Sequence, residues 1–181
     1  MSTHLTPAVS RQDHAQGTDT APLTLVEYGD YQCPYCGQAY LLIKAAQQAL
    51  GPDLRFVFRN FPLADAHPDA QPASLAAEAA GRQDKFWEMH DALYLHQGQL
   101  GAEHLLGYAK TLGLDIVQFK ADCQLPALAA KVAADLESGS RSGVNGTPSF
   151  FVNGRKYDGD WEGTGLLHYL QNQLQQQSTH R

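Results

Sequence analysis

Apolar residues follow two different periods along this chain, and the points where the period changes divide it into parts. Leu23-Thr-Leu-Val-Glu-Tyr28 has the β-branched and aromatic content of a strand, and the turn residues Gly29 and Asp30 close it. Apolar positions then recur at helical spacing, at Ala39, Leu42, Ile43, Ala46, Ala49 and Leu50, until Gly51-Pro52 stops the run. Leu54 to Phe61 predicts a second strand, ended by Pro62. Two strands separated by one helix length imply a right-handed parallel βαβ unit.

From about Ala66 to Gly143 strand patterns vanish and alanine-rich helical patterns replace them. Helices are predicted over Ala73 to Ala80, over Lys85 to Gln97 with Phe86, Met89, His90 and Leu93 on one face, and over Ala102 to Leu112. Another opens at Asp115, where Gln118 three residues on completes a capping-box pattern. The last covers Pro126 to Glu137. Strand chemistry then returns with Ser149 to Val152, followed by Asn153-Gly154, the strongest short hairpin pattern, and a return strand through Tyr157. Leu166, Leu167, Leu170 and Leu174 mark a final helix that fades into Gln175-Gln-Gln and a polar tail. The order is βαβ, a helical block of about eighty residues, then ββα.

The chain has 181 residues, enough for one domain of ordinary size, or one domain with a large insertion, with its own core. Three cysteines make no disulfide framework; a pair with one left over fits chemistry better than scaffolding. A net charge of -6, with thirteen Lys and Arg scattered singly, argues against a nucleic-acid surface. No run of eighteen apolar residues is present to span a membrane. The first residues lack a basic stretch followed by an apolar one, so they do not read as a secretory signal, and the expectation is a cytoplasmic, reducing compartment.

The chemistry concentrates at Cys33-Pro34-Tyr35-Cys36. Pro34 suits the first turn of a helix, where its missing N–H costs nothing, so Cys33 falls at a helix N-terminus. The unpaired N–H groups and the dipole there favour a negative charge, which lowers a thiol pKa and supplies a thiolate. Cys36, one turn on, shares the helix face and can close a ring with Cys33. The same spacing also serves as half of a zinc knuckle, but a structural zinc needs four ligands and no second CxxC exists. His90 and His96, six residues apart, fall on different helix faces; His4, His14 and His180 lack any helical spacing. No metal site is expected. Glu27 inside an apolar strand is either exposed on an edge or buried, and if buried it can take the proton of Cys36. Asp30 reads as a turn residue that would oppose a thiolate if it came close. His67 reads as a loop residue, with a place at the active-site rim left open by chain order, Cys123 as a small inert hydrophobe, and Phe86, Trp87 and Tyr94 as core.

Four motifs together, VEYGDYQCPYCG at 26–37, FRNFPL at 58–63, FWEMHDALY at 86–94 and SGVNGTPSFFVNG at 142–154, resemble the DsbA-like branch of the thioredoxin superfamily over about residues 5 to 175. The resemblance implies an α/β thioredoxin fold (βαβ + ββα) with an all-helical insertion between the halves. The implied division is an N-terminal arm at 1–20, a thioredoxin-like domain at 21–65 and 144–175, a helical insertion at 66–143 and a polar tail at 176–181. Part of the arm should pack on the domain. The resemblance makes Cys33 the nucleophile, Cys36 the resolving thiol, Glu27 the proton acceptor, and Pro148 a cis-proline facing the pair. It makes Thr147, with Pro148, Pro34 and Tyr35, the substrate-binding residues, Thr147 offering backbone hydrogen bonds to an extended peptide.

Three readings of function remain open at this level. The first is an enzyme that reduces or exchanges disulfides of proteins or peptides through Cys33, with no cofactor beyond the Cys33-Cys36 disulfide. The second is a glutathione-linked activity, glutaredoxin-like or of the kappa-transferase and isomerase kind, with glutathione as co-substrate. The third is a thioredoxin-fold binding or chaperone module. Pro-Tyr between the cysteines resembles the glutaredoxin dipeptide, whereas strongly oxidising DsbA-type proteins carry Pro-His. Electron direction depends on the relative stability of dithiol and disulfide, and about 30 mV corresponds to only about 1.4 kcal/mol, well inside what those two residues can change.

Overall fold

The computed structural model describes residues 3–179, so Met1, Ser2, His180 and Arg181 lie outside it. The elements in chain order are β1 (His14–Gln16), β2 (Leu23–Gly29), α1 (Pro34–Leu50), a 3-10 turn (Gly51–Asp53), β3 (Leu54–Asn60), α2 (Ala70–Gly81), α3 (Phe86–Leu95), α4 (Ala102–Thr111), α5 (Ile116–Cys123), α6 (Pro126–Arg141), β4 (Ser149–Val152), β5 (Arg155–Tyr157) and α7 (Gly165–Thr179). The strands form one sheet in the order β1-β3-β2-β4-β5. This is a mixed α/β fold of the thioredoxin type, with helices gathered between its βαβ and ββα halves.

By packing, the described chain divides into a sheet unit, residues 3–28, 38–59 and 138–179, and a helical unit, residues 29–37 and 60–137. The segment 29–37, which carries Cys33 and Cys36, therefore groups with the helices, although element order alone joins it to β2.

In the sheet unit, β2 and β3 lie in the interior of the sheet and bury nearly every residue. A strand buried on both faces loses the apolar-polar alternation of a half-exposed one. Leu25, Val26, Tyr28, Phe56, Val57 and Phe58 form the core with Phe150 and Phe151 of β4, Ile43 of α1 and Leu170 of α7. β4 runs antiparallel to β2, Glu27 opposite Phe150 and Tyr28 opposite Ser149. The β4–β5 connection turns at Asn153 and Gly154, both with positive φ, as an Asn-Gly hairpin requires.

The arm contributes more than packing. β1 adds to the sheet antiparallel to β3, with Ala15 opposite Val57. Gly17 then turns the chain at φ +91, and a Cβ there would lie 2.5 Å from the Leu54 carbonyl oxygen. Arg59 ties the arm down: its Nε and Nη2 donate to the two Asp13 carboxylate oxygens at 2.7 and 3.1 Å, and its Nη groups reach the Pro7 and Ala8 carbonyls. Nη1 also donates to the Tyr28 hydroxyl at 2.9 Å. Burial pulls Arg59 toward neutrality, but these bonds more than offset it and hold the guanidinium above its ordinary pKa.

The helical unit is centred on α2, which packs against α3, α4 and α5. Its buried residues are mostly alanines, Ala70, Ala73, Ala76, Ala77, Ala79 and Ala80, which let neighbouring helices approach closely. Asp115 caps α5 by accepting the Gln118 N–H at 2.9 Å, as the capping pattern predicts. Below α2 the Asn60 side chain donates to Glu78 at 2.8 Å and Asp135 at 3.0 Å, and Lys131 pairs with Asp135. Burial pushes Asp135 above the ordinary carboxylate range despite Lys131. One prediction needs correction at the C-terminus. The final helix does not fade at Gln175 but continues through Thr179, because glutamine is a good helix former and no Gly or Pro interrupts it.

Candidate active site

α1 begins at Pro34, and the Cys33 carbonyl accepts the Gly37 N–H at 3.1 Å, so Cys33 holds the N-cap position. From an N-cap, a side-chain acceptor reaches the N–H groups of the second and third helical residues. A Cys33 thiolate is such an acceptor. Cys36, one turn on, is fully buried, and its sulfur accepts the Asp30 N–H at 3.5 Å. Cys33 is buried at 4 % exposure, while Tyr35 between the thiols is 56 % exposed. The cysteines thus face inward and the dipeptide between them outward.

The helical unit holds this turn at four successive residues. Asp30, with no exposed surface, accepts the N–H groups of Gln32 at 2.7 Å and Cys33 at 3.2 Å through Oδ1. Its Oδ2 accepts from the Leu63 N–H at 2.9 Å and His67 Nδ1 at 2.8 Å. The Tyr31 hydroxyl and His90 Nδ1 share a hydrogen bond of 2.9 Å inside a cluster with Phe86, Trp87 and Tyr94. The Gln32 side chain accepts the Asp69 N–H at 2.7 Å. Gln97 Nε2 donates to the Cys33 carbonyl at 2.6 Å.

These contacts correct two predictions. Asp30 is more than a turn residue: it is a buried carboxylate that anchors the Cys33 backbone. His67 is more than a loop residue, because it is that carboxylate's partner. Gln32, Asp69 and Gln97 were not singled out from sequence at all, and Gln97 lies beyond the end of α3, where no motif marks it.

Cys33, Pro34, Tyr35 and Cys36 stand together on one turn of the helical unit. The remaining candidates belong to the sheet unit. Glu27 is on the interior strand β2 and 1 % exposed, so the exposed-edge alternative is excluded. It stands opposite Phe150 of β4, and Thr147 and Pro148 lead directly into that strand. The Thr147–Pro148 peptide bond is cis. Cys123, half-buried on α5, has its thiol pushed up to about 11 by burial and by the Asp122 charge, which suits an unreactive cysteine. Among the described residues no group of three or more His, Cys, Asp or Glu could hold a metal ion.

Comparison with known proteins agrees with this fold. A thioredoxin-like oxidoreductase from Silicibacter pomeroyi is 29 % identical, covers 94 % of this chain and of its own, and superposes with a TM-score of 0.80. BdbD from Bacillus subtilis, 23 % identical, covers 90 % of this chain and 93 % of its own with a TM-score of 0.79, a likeness of fold. Among curated sequences, a Na(+)/H(+) antiporter NhaA from Salinispora arenicola is 46 % identical over 157 residues, 87 % of this chain. That match takes in 24 % of the antiporter, and the chain spans about a quarter of the length of the curated relatives it matches. Among the described residues no helix is long and apolar enough to cross a membrane. The thioredoxin family profile matches residues 9–172. The chain belongs to the thioredoxin family, and its fold is that of the DsbA-like thiol-disulfide oxidoreductases.

Proposed function

We propose that this protein reduces or exchanges disulfides of proteins or peptides through Cys33 and Cys36. The observation that carries the reading is the N-cap position of Cys33, one turn before a second buried cysteine, in a chain of this family. The Cys33 thiolate attacks one sulfur of a substrate disulfide; that S–S bond breaks, and the other sulfur leaves as a thiolate. Cys36 then gives up its proton and attacks the Cys33 sulfur, releasing the second substrate thiol. Two electrons pass to the substrate, and the pair becomes a disulfide. Glu27, the buried acid of β2, is the proposed acceptor of the Cys36 proton. Thr147 and Pro148 are the proposed substrate-binding residues of the sheet unit, and the exposed Pro34 and Tyr35 those of the helical unit.

The experiment is turnover of a disulfide-bonded test protein with excess dithiol as electron donor. The wild type should accelerate reduction, and Cys33→Ser should not. Equal rates with and without Cys33 would leave a binding module as the better account. The Pro34-Tyr35 dipeptide also supports glutathione as the thiol that recycles the pair, and accumulation of a glutathione mixed disulfide on Cys33 would select that route.

A further inference from the structure

We propose that Asp30 and His67 form a positioning pair that sets the reactivity of Cys33, with His67 acting as the donor that holds the Asp30 carboxylate in place. The proposal rests on the reading of Cys33 as the attacking thiol.

The Asp30 carboxylate receives four donors: the Gln32, Cys33 and Leu63 N–H groups and His67 Nδ1. Both Asp30 oxygens already accept backbone N–H groups, so the proton of the His67 contact is assigned to Nδ1. The His67 backbone is fixed on both sides of the side chain. The His67 N–H donates to the Leu63 carbonyl at 2.8 Å, and the His67 carbonyl accepts the Ala70 N–H at 3.1 Å at the start of α2. A short turn thus delivers two of the four donors, the Leu63 N–H and the His67 ring, to one oxygen.

That division of labour bears on Cys33. A carboxylate beside a thiol opposes its ionisation, and Oδ1 lies within hydrogen-bonding distance of the Cys33 N–H. Donors from Leu63 and His67 on Oδ2 lower the charge the carboxylate presents to the thiol and fix the rotamer in which Oδ1 grips the loop. Without His67, Oδ2 keeps one donor, and the carboxylate is able to rotate toward the N-terminus of α1, competing there with the thiolate for N–H groups. The bond also spans sequence: with Leu63–Asp30 and Gln32–Asp69, it is one of the ties between the CxxC loop and the connection into α2.

The test compares wild type with His67→Ala and His67→Asn, in which the Asn side-chain N–H replaces Nδ1–H without a titrating ring. Two properties are read on the thiols themselves: the rate of Cys33 alkylation by iodoacetamide at pH 7, and the equilibrium of the Cys33-Cys36 pair with glutathione. His67→Ala should slow alkylation about tenfold and shift the equilibrium about tenfold toward the disulfide, a potential about 30 mV more negative. His67→Asn should stay within about threefold of wild type, since one donor hydrogen bond is restored. A His67→Ala variant that melts earlier but keeps wild-type alkylation and potential would reduce the pair to a structural brace and overturn the proposal, as would a defect that Asn does not rescue. Should His67→Ala fail to fold, nitrogen NMR of the wild type decides: an Nδ1–H tautomer supports the pair, and an Nε2–H tautomer overturns it. Turnover of a protein disulfide is measured separately. A wild type without turnover, but with the His67 effect on Cys33 intact, removes the proposed function and keeps the pair; normal turnover without the effect does the reverse.

Discussion

Asp30→Ala removes the acceptor at the centre of the CxxC loop, and the structure sets the size of the loss. Four N–H donors lose a partner. They do not count equally. The Cys33 N–H keeps the Asp30 backbone carbonyl at 3.1 Å, and His67, with 22 % of its side chain exposed, can turn to water. Gln32 is partly exposed, so its N–H is also within reach of solvent. Leu63 is partly exposed too, so the Gln32 and Leu63 N–H groups together cost about 1–3 kcal/mol, and loss of the cap on the loop adds about 1 kcal/mol. Relief from burying a carboxylate pulls the total toward the lower end. We expect a loss of about 2–3 kcal/mol, or a fall in Tm of about 4–12 °C for a chain of this size. Asp30→Asn should cost nearly as much, because its NH2 would face donors on one side. Denaturant titration followed by circular dichroism gives the stability, and amide exchange gives the place, with Leu63 losing protection while Leu25 in β2 keeps it. A change under about 0.5 kcal/mol with Leu63 still protected would refute the assignment of Asp30 as the anchor of this loop.

Cys123, with its thiol pushed up to about 11, should alkylate far more slowly than Cys33 at pH 7, its rate climbing tenfold per pH unit until about pH 11; comparable rates at neutral pH would contradict that raised pKa. Asp13→Asn should destabilise the fold by about 3 kcal/mol, because it leaves the buried Arg59 cation short of its counter-charge, and should open the arm to limited proteolysis; an arm still protected would count against this tether. For Asp135, folding raises the pKa, so its contribution is complete below the ordinary carboxylate value and is lost as pH rises through the raised one. The stability of Asp135→Asn should therefore gain on wild type as pH climbs from about 4, and a difference that stays constant with pH would refute the shift. Gly37→Ala would place a methyl group against the Gln97 side chain and push it off the Cys33 carbonyl, so amide exchange of the first turn of α1 should quicken; unchanged exchange would show that Gln97 does not hold the turn.

Element order was legible wherever period and punctuation agreed. The Asn153-Gly154 hairpin, the Asp115 cap and the start of α1 at Pro34 are local events, written within four residues. β1 was not legible, because three residues without alternation become a strand only when β3 offers a partner. The thiol pair could be read directly, but its supports could not. Asp30 after Gly29 has the form of a turn, and two of its donors come from Leu63 and His67, more than thirty residues on. Glu27 left two alternatives open until strand order placed β2 in the interior of the sheet. What sequence leaves out here is which distant donor meets which acceptor, a property of tertiary packing.

The central claim is that Cys33 attacks and Cys36 resolves. It is tested most directly by incubating Cys36→Ser and Cys33→Ser with a disulfide-bonded protein and identifying adducts by intact mass and peptide mapping. Cys36→Ser should accumulate a mixed disulfide through Cys33, and Cys33→Ser should form none. Adducts on Cys36 in the absence of Cys33, or no adduct with either variant, would contradict the account.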